Sequence, residues 1–352
     1  MKNYIVFDLE WNQSANGKER SLPHFPFEII EIGAVKLNEN FQMTDEFHRL
    51  IRPQVYTQMH HAISEVTHMD MKELRNSGTL FPDAAADFIS WCGEDAVFCT
   101  WGNMDLLELQ RNMDHYQINN PFPKPLFYYD VQKLYGLFRR ENARISLDSA
   151  VEEQNLLEDR PFHRALDDAY YTGKLLTMLG SAPGPDAILP FWSVDYYRLP
   201  ADKKEEIRMT FPGYSKYVSR VFDSKEDAME DKGVTEMMCY RCGRMLRKKV
   251  RWFTPNQKTY FALAVCPEHG FLKGKIRMKK VEEESVFVVK TLKLTDEEGA
   301  QSVLQRKEDV RKKRAERNRM KRRQKQAEKK AANPNPPAPS GNHSRRRRKK
   351  LP

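Results

Sequence analysis

The spacing of apolar and polar residues changes character along the chain, and three of those changes bracket acidic residues. YIVFDLEW, from Tyr4 to Trp11, opens apolar and then alternates, which predicts a buried strand. Period two places Asp8 and Glu10 on one face of that strand and Phe7 and Leu9 on the other. DAVFCT, ending at Thr100, predicts a second short strand. A WGN turn follows, then DLLELQRNM with its apolar residues at helical spacing, so Asp105 falls in a first helical turn. ALDDAYYTGKLLTML, from Ala165, predicts a long helix with Asp168 near its start and Asp167 turned about 100° away. His163 lies just outside that helix.

Further along, RWF and KTYFALAV predict a hairpin around TPNQ, and KVEEESVFVVKTLKL predicts further strand with alternating lysines. From about Asp296 the residues are helix formers with few core positions, which predicts a solvated basic helix. AANPNPPAPSGNHS then reads as a disordered linker and RRRRKK as a basic run. SAPGP, from Ser181, reads as a linker between domains.

The bracketed residues suggest a chemistry. Asp8, Glu10, Asp105 and Asp168 supply four carboxylates, and hard divalent cations such as magnesium take oxygen ligands. Two such ions about 4 Å apart stabilise both the attacking and the leaving oxygen of a phosphoryl displacement. His163 adds an imidazole, the side chain that most often serves as a general base. Each segment alone has an ordinary reading. D-x-E arises by chance on strands, Asp105 suits the dipole at a helix start, and a lone histidine there is a surface or capping residue. In order, and each in its structural context, they read together.

This set closely resembles the DEDDh family of 3′→5′ exonucleases, whose members carry D-x-E on a strand, an aspartate at a helix start and H-x4-D. Asp8, Glu10, Asp105, His163 and Asp168 match these positions one by one. EIIEIGAVKL, Glu28 to Leu37, is similar to the family's second strand, and VTHMD, Val66 to Asp70, to the loop that holds the substrate's 3′ end. The WG before Asp105 and YDVQKL from Tyr129 are most similar to the Eri and histone-mRNA exonuclease-like subgroup. The resemblance runs from Met1 to about Gly180. Trp11-Asn12 replace small or hydroxyl residues, and His68-Met69 replace a usual Gly-Ile. The resemblance implies an α/β fold, a ribonuclease H-like mixed sheet flanked by helices. It also implies two Mg2+ or Mn2+ ions on the four carboxylates, with His163 deprotonating the attacking water. Trp11, Val66 and Thr67 are candidates for holding the terminal nucleotide, and Trp11 reads equally well as packing at a strand end.

Charge divides the 352 residues unevenly. Residues 1–180 carry a balance of −10, residues 181–300 of +4 and residues 301–352 of +16. An acidic catalytic region does not attract a polyanion from a distance, and the basic remainder can. Cys239-Tyr-Arg-Cys242 and Cys266-Pro-Glu-His269 have the spacing of two metal-binding knuckles and resemble a zinc ribbon with one structural Zn2+. Gly243 and Gly270 follow the knuckles where a turn commonly needs positive φ. Residues 239–280 hold 12 Lys and Arg against the single acid Glu268. Trp252, Phe253, Tyr260 and Phe261 are interleaved with them. That mixture suits single-stranded nucleic acid, and equally a small hairpin core with a solvated face.

The expected organisation is a nuclease domain over 1–180, a linker of unassigned role over 181–232, a zinc-ribbon-like basic β domain over 233–295 and a basic tail over 296–352. The expected function is removal of nucleotides from the single-stranded 3′ end of RNA or DNA. The alternatives are a DNA repair or proofreading exonuclease, or a nucleic-acid-binding adaptor with a non-catalytic nuclease-like domain. No signal peptide and no membrane span is expected, and five cysteines without a disulfide framework, Cys92 and Cys99 as core thiols, suit a reducing compartment. The expected location is cytoplasmic, or nuclear in a eukaryote. Protein partners are not legible.

Overall fold

The computed structural model describes residues 2–17, 20–140, 143–181 and 191–332. The SAPGP stretch after Ser181, the proline-rich stretch from Asn333 and the terminal basic run lie outside them. The chain divides into two compact units, Met1–Phe222 and Asp223–Pro352.

The first unit is built on a six-stranded mixed sheet flanked by helices. Its strands are β1 (Asn3–Asn12), β2 (Glu28–Leu37), β3 (Met43–Leu50), β4 (Ala96–Thr100), β5 (Phe127–Asp130) and β6 (Ser193–Val194), in the order β3-β2-β1-β4-β5-β6. β1 pairs antiparallel with β2 and parallel with β4. Around the sheet run α1 (His61–Thr67), α2 (Met71–Ser77), α3 (Phe81–Cys92), α4 (Met104–His115), α5 (Val131–Phe138), α6 (Leu147–Glu153) and α7 (Ala165–Ser181). A hairpin of β7 (Ile207–Phe211) and β8 (Tyr214–Phe222) ends the unit. The stretch that pattern alone left unassigned thus adds β6 to the sheet edge, where Trp192 stacks on Tyr129 with centroids 4.0 Å apart.

The alternation of β1 decides what lies on each side. Ile5, Phe7 and Leu9 enter one core with Phe81 and Phe88 of α3 and Leu106 and Leu109 of α4. Val6 enters the other with Tyr171, Leu175 and Leu176 of α7. Asp8 and Glu10 therefore stand on the α7 side. Gly33, opposite Asp8, lets α7 come down onto the sheet: a Cβ there would lie 2.0 Å from the Leu166 amide nitrogen. Any larger residue would push the helix start off the strand. The pairing of β1 with β4 ends at Val6–Cys99, so the carboxyl end of β1 projects beyond its parallel neighbour. Open α/β sheets place their ligand sites in crevices at such ends. Cys92 and Cys99 are buried free thiols; burial pushes Cys92 up to about 12.

The second unit begins with α8 (Lys225–Glu230), α9 (Lys232–Thr235) and a short pair, β9 (Met237–Met238) with β10 (Met245–Leu246). An antiparallel meander follows: β11 (Lys248–Phe253), β12 (Thr259–Cys266), β13 (Gly270–Lys280) and β14 (Val286–Thr295). One face of the meander buries Ala262, Ala264, Leu272 and Leu292 with Met237 and Leu246. On the other, Val250 and Leu263 pack with Ala300 and Val303 of α10 (Glu297–Ala332). Beyond those first turns α10 is almost wholly exposed, which fits its composition. No helix among the described residues is long and apolar enough to cross a membrane.

Candidate active site

Three of the predicted carboxylates converge. Asp8, Glu10 and Asp168 each offer an oxygen, and these oxygens all lie within 4.8 Å of one another. β1 supplies the first two by period two. α7 supplies Asp168 from its first turn, with the Asp168 amide bonded to the Arg164 carbonyl at 2.9 Å. Asp167, one residue back, turns away to Arg160 at 3.3 Å.

Asp105 comes from the first turn of α4, as its spacing predicts, and is 5% exposed. It stands outside the closest trio. Its Oδ1 accepts a hydrogen bond from the Leu9 amide at 3.3 Å, where β1 has run past β4. The aspartate thus satisfies a strand-edge donor and sets its carboxylate beside the other three.

The electrostatics are those of a site built for cations. Burial, then repulsion from Asp105, Asp168, Glu10 and Glu31, drives Asp8 well above the carboxylate range. Burial, then Asp168, Glu31 and Asp105, lifts Glu10 to about 8. Burial also raises Asp105 and Asp168 to about 7, against the pull of the Leu9 and His163 amides respectively. Asp168 is 8% exposed, and its Oδ1 is buried without a hydrogen-bond partner. A buried lone carboxylate oxygen is costly unless a cation meets it. The donor set, all hard oxygen, fits magnesium or manganese.

His163 sits ahead of α7 with its side chain exposed and its backbone in the left-handed region, φ 69°. Its amide donates to Asp168 Oδ2 at 3.1 Å, which ties the histidine backbone to a carboxylate of the trio. Two residues that the sequence did not single out hold this segment. Glu31 of β2, cross-strand from Glu10, receives Arg164 Nη2 at 2.9 Å and the Ala165 amide at 3.1 Å, and lies 2.6 Å from His48 Nε2. Burial pushes the Glu31 carboxyl up, but the bonds from His48, Arg164 and Ala165 outweigh it and hold it below the usual range. Glu31 therefore caps the start of α7 from the sheet and pins the residue beside His163. An acid inside the apolar run EIIEIGAV was the available signal.

The candidate nucleotide-binding residues separate. VTHMD, expected as a loop, is the end of α1 followed by His68 at φ 55°. Val66 is 45% exposed, whereas Thr67 is 2% exposed with its hydroxyl bonded to the Ile63 carbonyl at 2.9 Å. Trp11 is half-buried, tilted against Phe27 at 5.7 Å. Asn12 is fully committed to the fold: its amide donates to the Tyr56 and Gln58 carbonyls at 2.8 and 2.9 Å, and its Oδ1 accepts from the His60 amide. It anchors the segment leading into α1.

In the second unit Cys239, Cys242, Cys266 and His269 bring their ligand atoms within 4.8 Å of one another. Cys242 and Cys266 sulfurs are 3.7 Å apart, and His269 Nδ1 is 3.6 Å from the sulfurs of Cys239 and Cys266. Four ligands at tetrahedral zinc, with Zn–S about 2.3 Å, stand roughly 3.8 Å from each other. The fit is close, and soft thiolates are the donors zinc takes. Gly243 and Gly270 take φ 69° and 79° at the knuckles. Arg244 and Glu268 join the two knuckles at 2.6 Å. Trp252 is tied down, its indole nitrogen donating to the Thr235 carbonyl at 2.8 Å.

Known proteins similar to this chain are exonucleases. Residues 5–176 match the family model described as Exonuclease. The probable 3′-5′ exonuclease KapD of Bacillus subtilis is 28% identical over 180 residues, covering 50% of this chain and 83% of its own. Among solved structures, the nuclease domain of 3′hExo, a DEDDh family member bound to rAMP, aligns with a TM-score of 0.44 and 20% identity, over 55% of this chain and 96% of that one. E. coli exonuclease I in complex with a dA16 oligonucleotide aligns with a TM-score of 0.45 and 11% identity, over 75% and 55%. All five motif residues, Asp8, Glu10, Asp105, His163 and Asp168, lie within the span that matches the Exonuclease model, and over it the first unit of this chain is similar to a 3′-5′ exonuclease.

Proposed function

We propose that the chain is a divalent-metal-dependent exonuclease that removes nucleotides from single-stranded 3′ ends, RNA or DNA. The observation that carries this is the trio Asp8, Glu10 and Asp168 within 4.8 Å, with a buried Asp168 oxygen left without a partner. Asp8, Glu10, Asp105 and Asp168 would hold two Mg2+ or Mn2+ ions, which when bound neutralise charge on the scissile phosphate and acidify the attacking water. His163 takes the proton from that water at a ring nitrogen. Its exposed ring and tethered backbone suit a group that must reach the substrate without losing its place. Glu31 and Arg164 hold the turn on which His163 rides. Val66 and the edge of Trp11 are the surfaces offered to the terminal nucleotide.

In the second unit Cys239, Cys242, Cys266 and His269 hold one structural Zn2+, whose four protein ligands leave no open position for catalysis. The adaptor reading is disfavoured because all five catalytic positions are occupied by competent residues. The buried free thiols suit a reducing compartment.

Single-stranded RNA and DNA oligonucleotides labelled at the 5′ end test the reading. With magnesium they should shorten in single-nucleotide steps from the 3′ end, and Asp168→Asn should lower the rate by more than about 10³-fold. Internal cleavage, trimming from the 5′ end, or full activity in Asp168→Asn would overturn it.

A further inference from the structure

One face of the meander in the second unit carries a row of cations. On β13 the side chains at Leu272, Gly274, Ile276 and Met278 are buried, so the alternate residues Lys273, Lys275, Arg277 and Lys279 share the opposite face. Antiparallel register extends the row sideways. Lys273 stands directly across from Lys293 of β14. Like charges directly opposite on a sheet destabilise the pair, and among the described residues neither lysine amine has an ion-pair or hydrogen-bond partner. Lys275 lies opposite Phe261 of β12, and Arg306 from α10 sits over that ring at 4.3 Å. Two acids of α10 are paired within the helix, Glu308 with Arg311 and Asp309 with Gln305. Burial, then repulsion from Arg277 and Arg306, lowers the proton affinity of Lys275.

A fold that holds like charges together without counter-charges leaves them for an external anion. Its shape narrows the ligand. Side chains two apart on a strand repeat at about 6.8 Å, so the row is a line of cations, not a pocket for one phosphate. Phe253 and Phe261 are half-buried at its margin with centroids 6.1 Å apart. The first turns of α10 pack on the same face against Leu263 and Val250, so the row runs along the flank of that helix, and a line of cations beside aromatic rings there suits an extended single strand. We infer that Lys273, Lys275, Arg277 and Lys293, with Arg306, form a track for the sugar-phosphate backbone of single-stranded nucleic acid. This deepens the exonuclease reading and rests on it for the identity of the ligand.

Binding is measured apart from hydrolysis, by fluorescence anisotropy of a dT20 or U20 strand on the full-length Asp8→Ala protein without added magnesium, over a series of salt concentrations. Each neutralised phosphate contributes a slope of about −0.7 in log K against log [salt] for single strands. Adding Lys273→Gln, Lys275→Gln and Arg277→Gln should flatten the slope by about 2, and the set Lys273→Arg, Lys275→Arg and Arg277→Lys should restore it. Because the change relieves repulsion, the melting temperature should hold or rise, which separates lost contacts from lost fold. An equal loss of charge at the exposed Lys2, Arg52 and Lys204 should leave the slope almost unchanged. The track is refuted if the first variant keeps its slope, if the remote variant loses as much, or if poly-glutamate of equal charge competes as well as the oligonucleotide. The last result would assign the face to an acidic protein. None of these outcomes depends on whether the active site cuts.

Discussion

The two units both crowd like charges, but with opposite sign and different consequences. In the first, Asp105 and Asp168 are buried and Asp8 and Glu10 half-buried at the end of β1, and desolvation is the largest influence on the proton affinity of each. In the second, lysines and arginines line a sheet face partly covered by the first turns of α10, where they are half-buried or exposed and water and salt moderate the repulsion. Burial makes the acidic cluster specific for small hard cations, because little else can reach the unpaired Asp168 oxygen. Exposure makes the basic face receptive to any polyanion of matching shape. The proposed zinc ligands are a third case, in which the buried Cys239 and Cys266 meet the exposed Cys242 and the half-buried His269 at the edge of a small core that a metal would complete. The lesson is that depth, more than charge, decides whether a cluster does chemistry, holds a structure together or captures a partner.

The widest gap between the units should open when the zinc ligands are broken. Cys239→Ser is expected to release zinc and unfold the ribbon, since in small zinc domains the metal contributes about 10–16 kcal/mol to folding. The first unit should keep cleaving short oligonucleotides. Elemental analysis together with a cleavage assay reads both. Absence of zinc from freshly purified wild-type protein would remove the ribbon from the comparison altogether.

Within the acidic unit, His163→Ala separates proton transfer from metal holding. Loss of a general base typically lowers the rate on the order of 10²–10⁴-fold. Magnesium binding, followed by the thermal shift it produces, should persist, because no carboxylate is touched. A variant that cleaves at the wild-type rate would leave His163 with only its backbone role at Asp168.

The smallest effect concerns pH and stability. Carboxylates raised to about 7 and 8 in the folded state bind protons more tightly than in the unfolded chain. Stability of the magnesium-free first unit should therefore be greatest near and below the unfolded pKa, about 4, and should fall as pH rises through 8. A fall in melting temperature on the order of 5 °C between pH 5 and 8 is expected, and saturating magnesium should flatten it. A melting temperature that rises with pH in magnesium-free buffer would mean that the trio is not charged against itself.

Much of the site was legible because its residues sit on elements whose period fixes their direction. β1 alternates, so Asp8 and Glu10 had to share a face, and Asp105 and Asp168 fell in first helical turns from apolar spacing alone. The knuckle spacing announced the ribbon ligands in the same way. What stayed hidden was pairing across the fold. Glu31 reads as one acid in an apolar strand until register sets it opposite Glu10 and α7 brings Arg164 to it. Asn12 follows the D-x-E segment closely enough to look like a substrate contact, yet it is consumed in holding residues 56 to 60. Thr67 belongs to a helix that its sequence, short and uncapped, did not announce.

By itself the sequence determined which residues alternate, where helices begin and which donor atoms are present, because these depend on neighbours a few residues apart. Only the tertiary structure decided which of those groups are buried together, since burial and register depend on strands 20 to 130 residues distant along the chain. That is why four carboxylates can be named from one line of letters. Their displaced proton affinities, the clamp on the His163 turn and the row of cations along β13 follow only once the sheets are assembled.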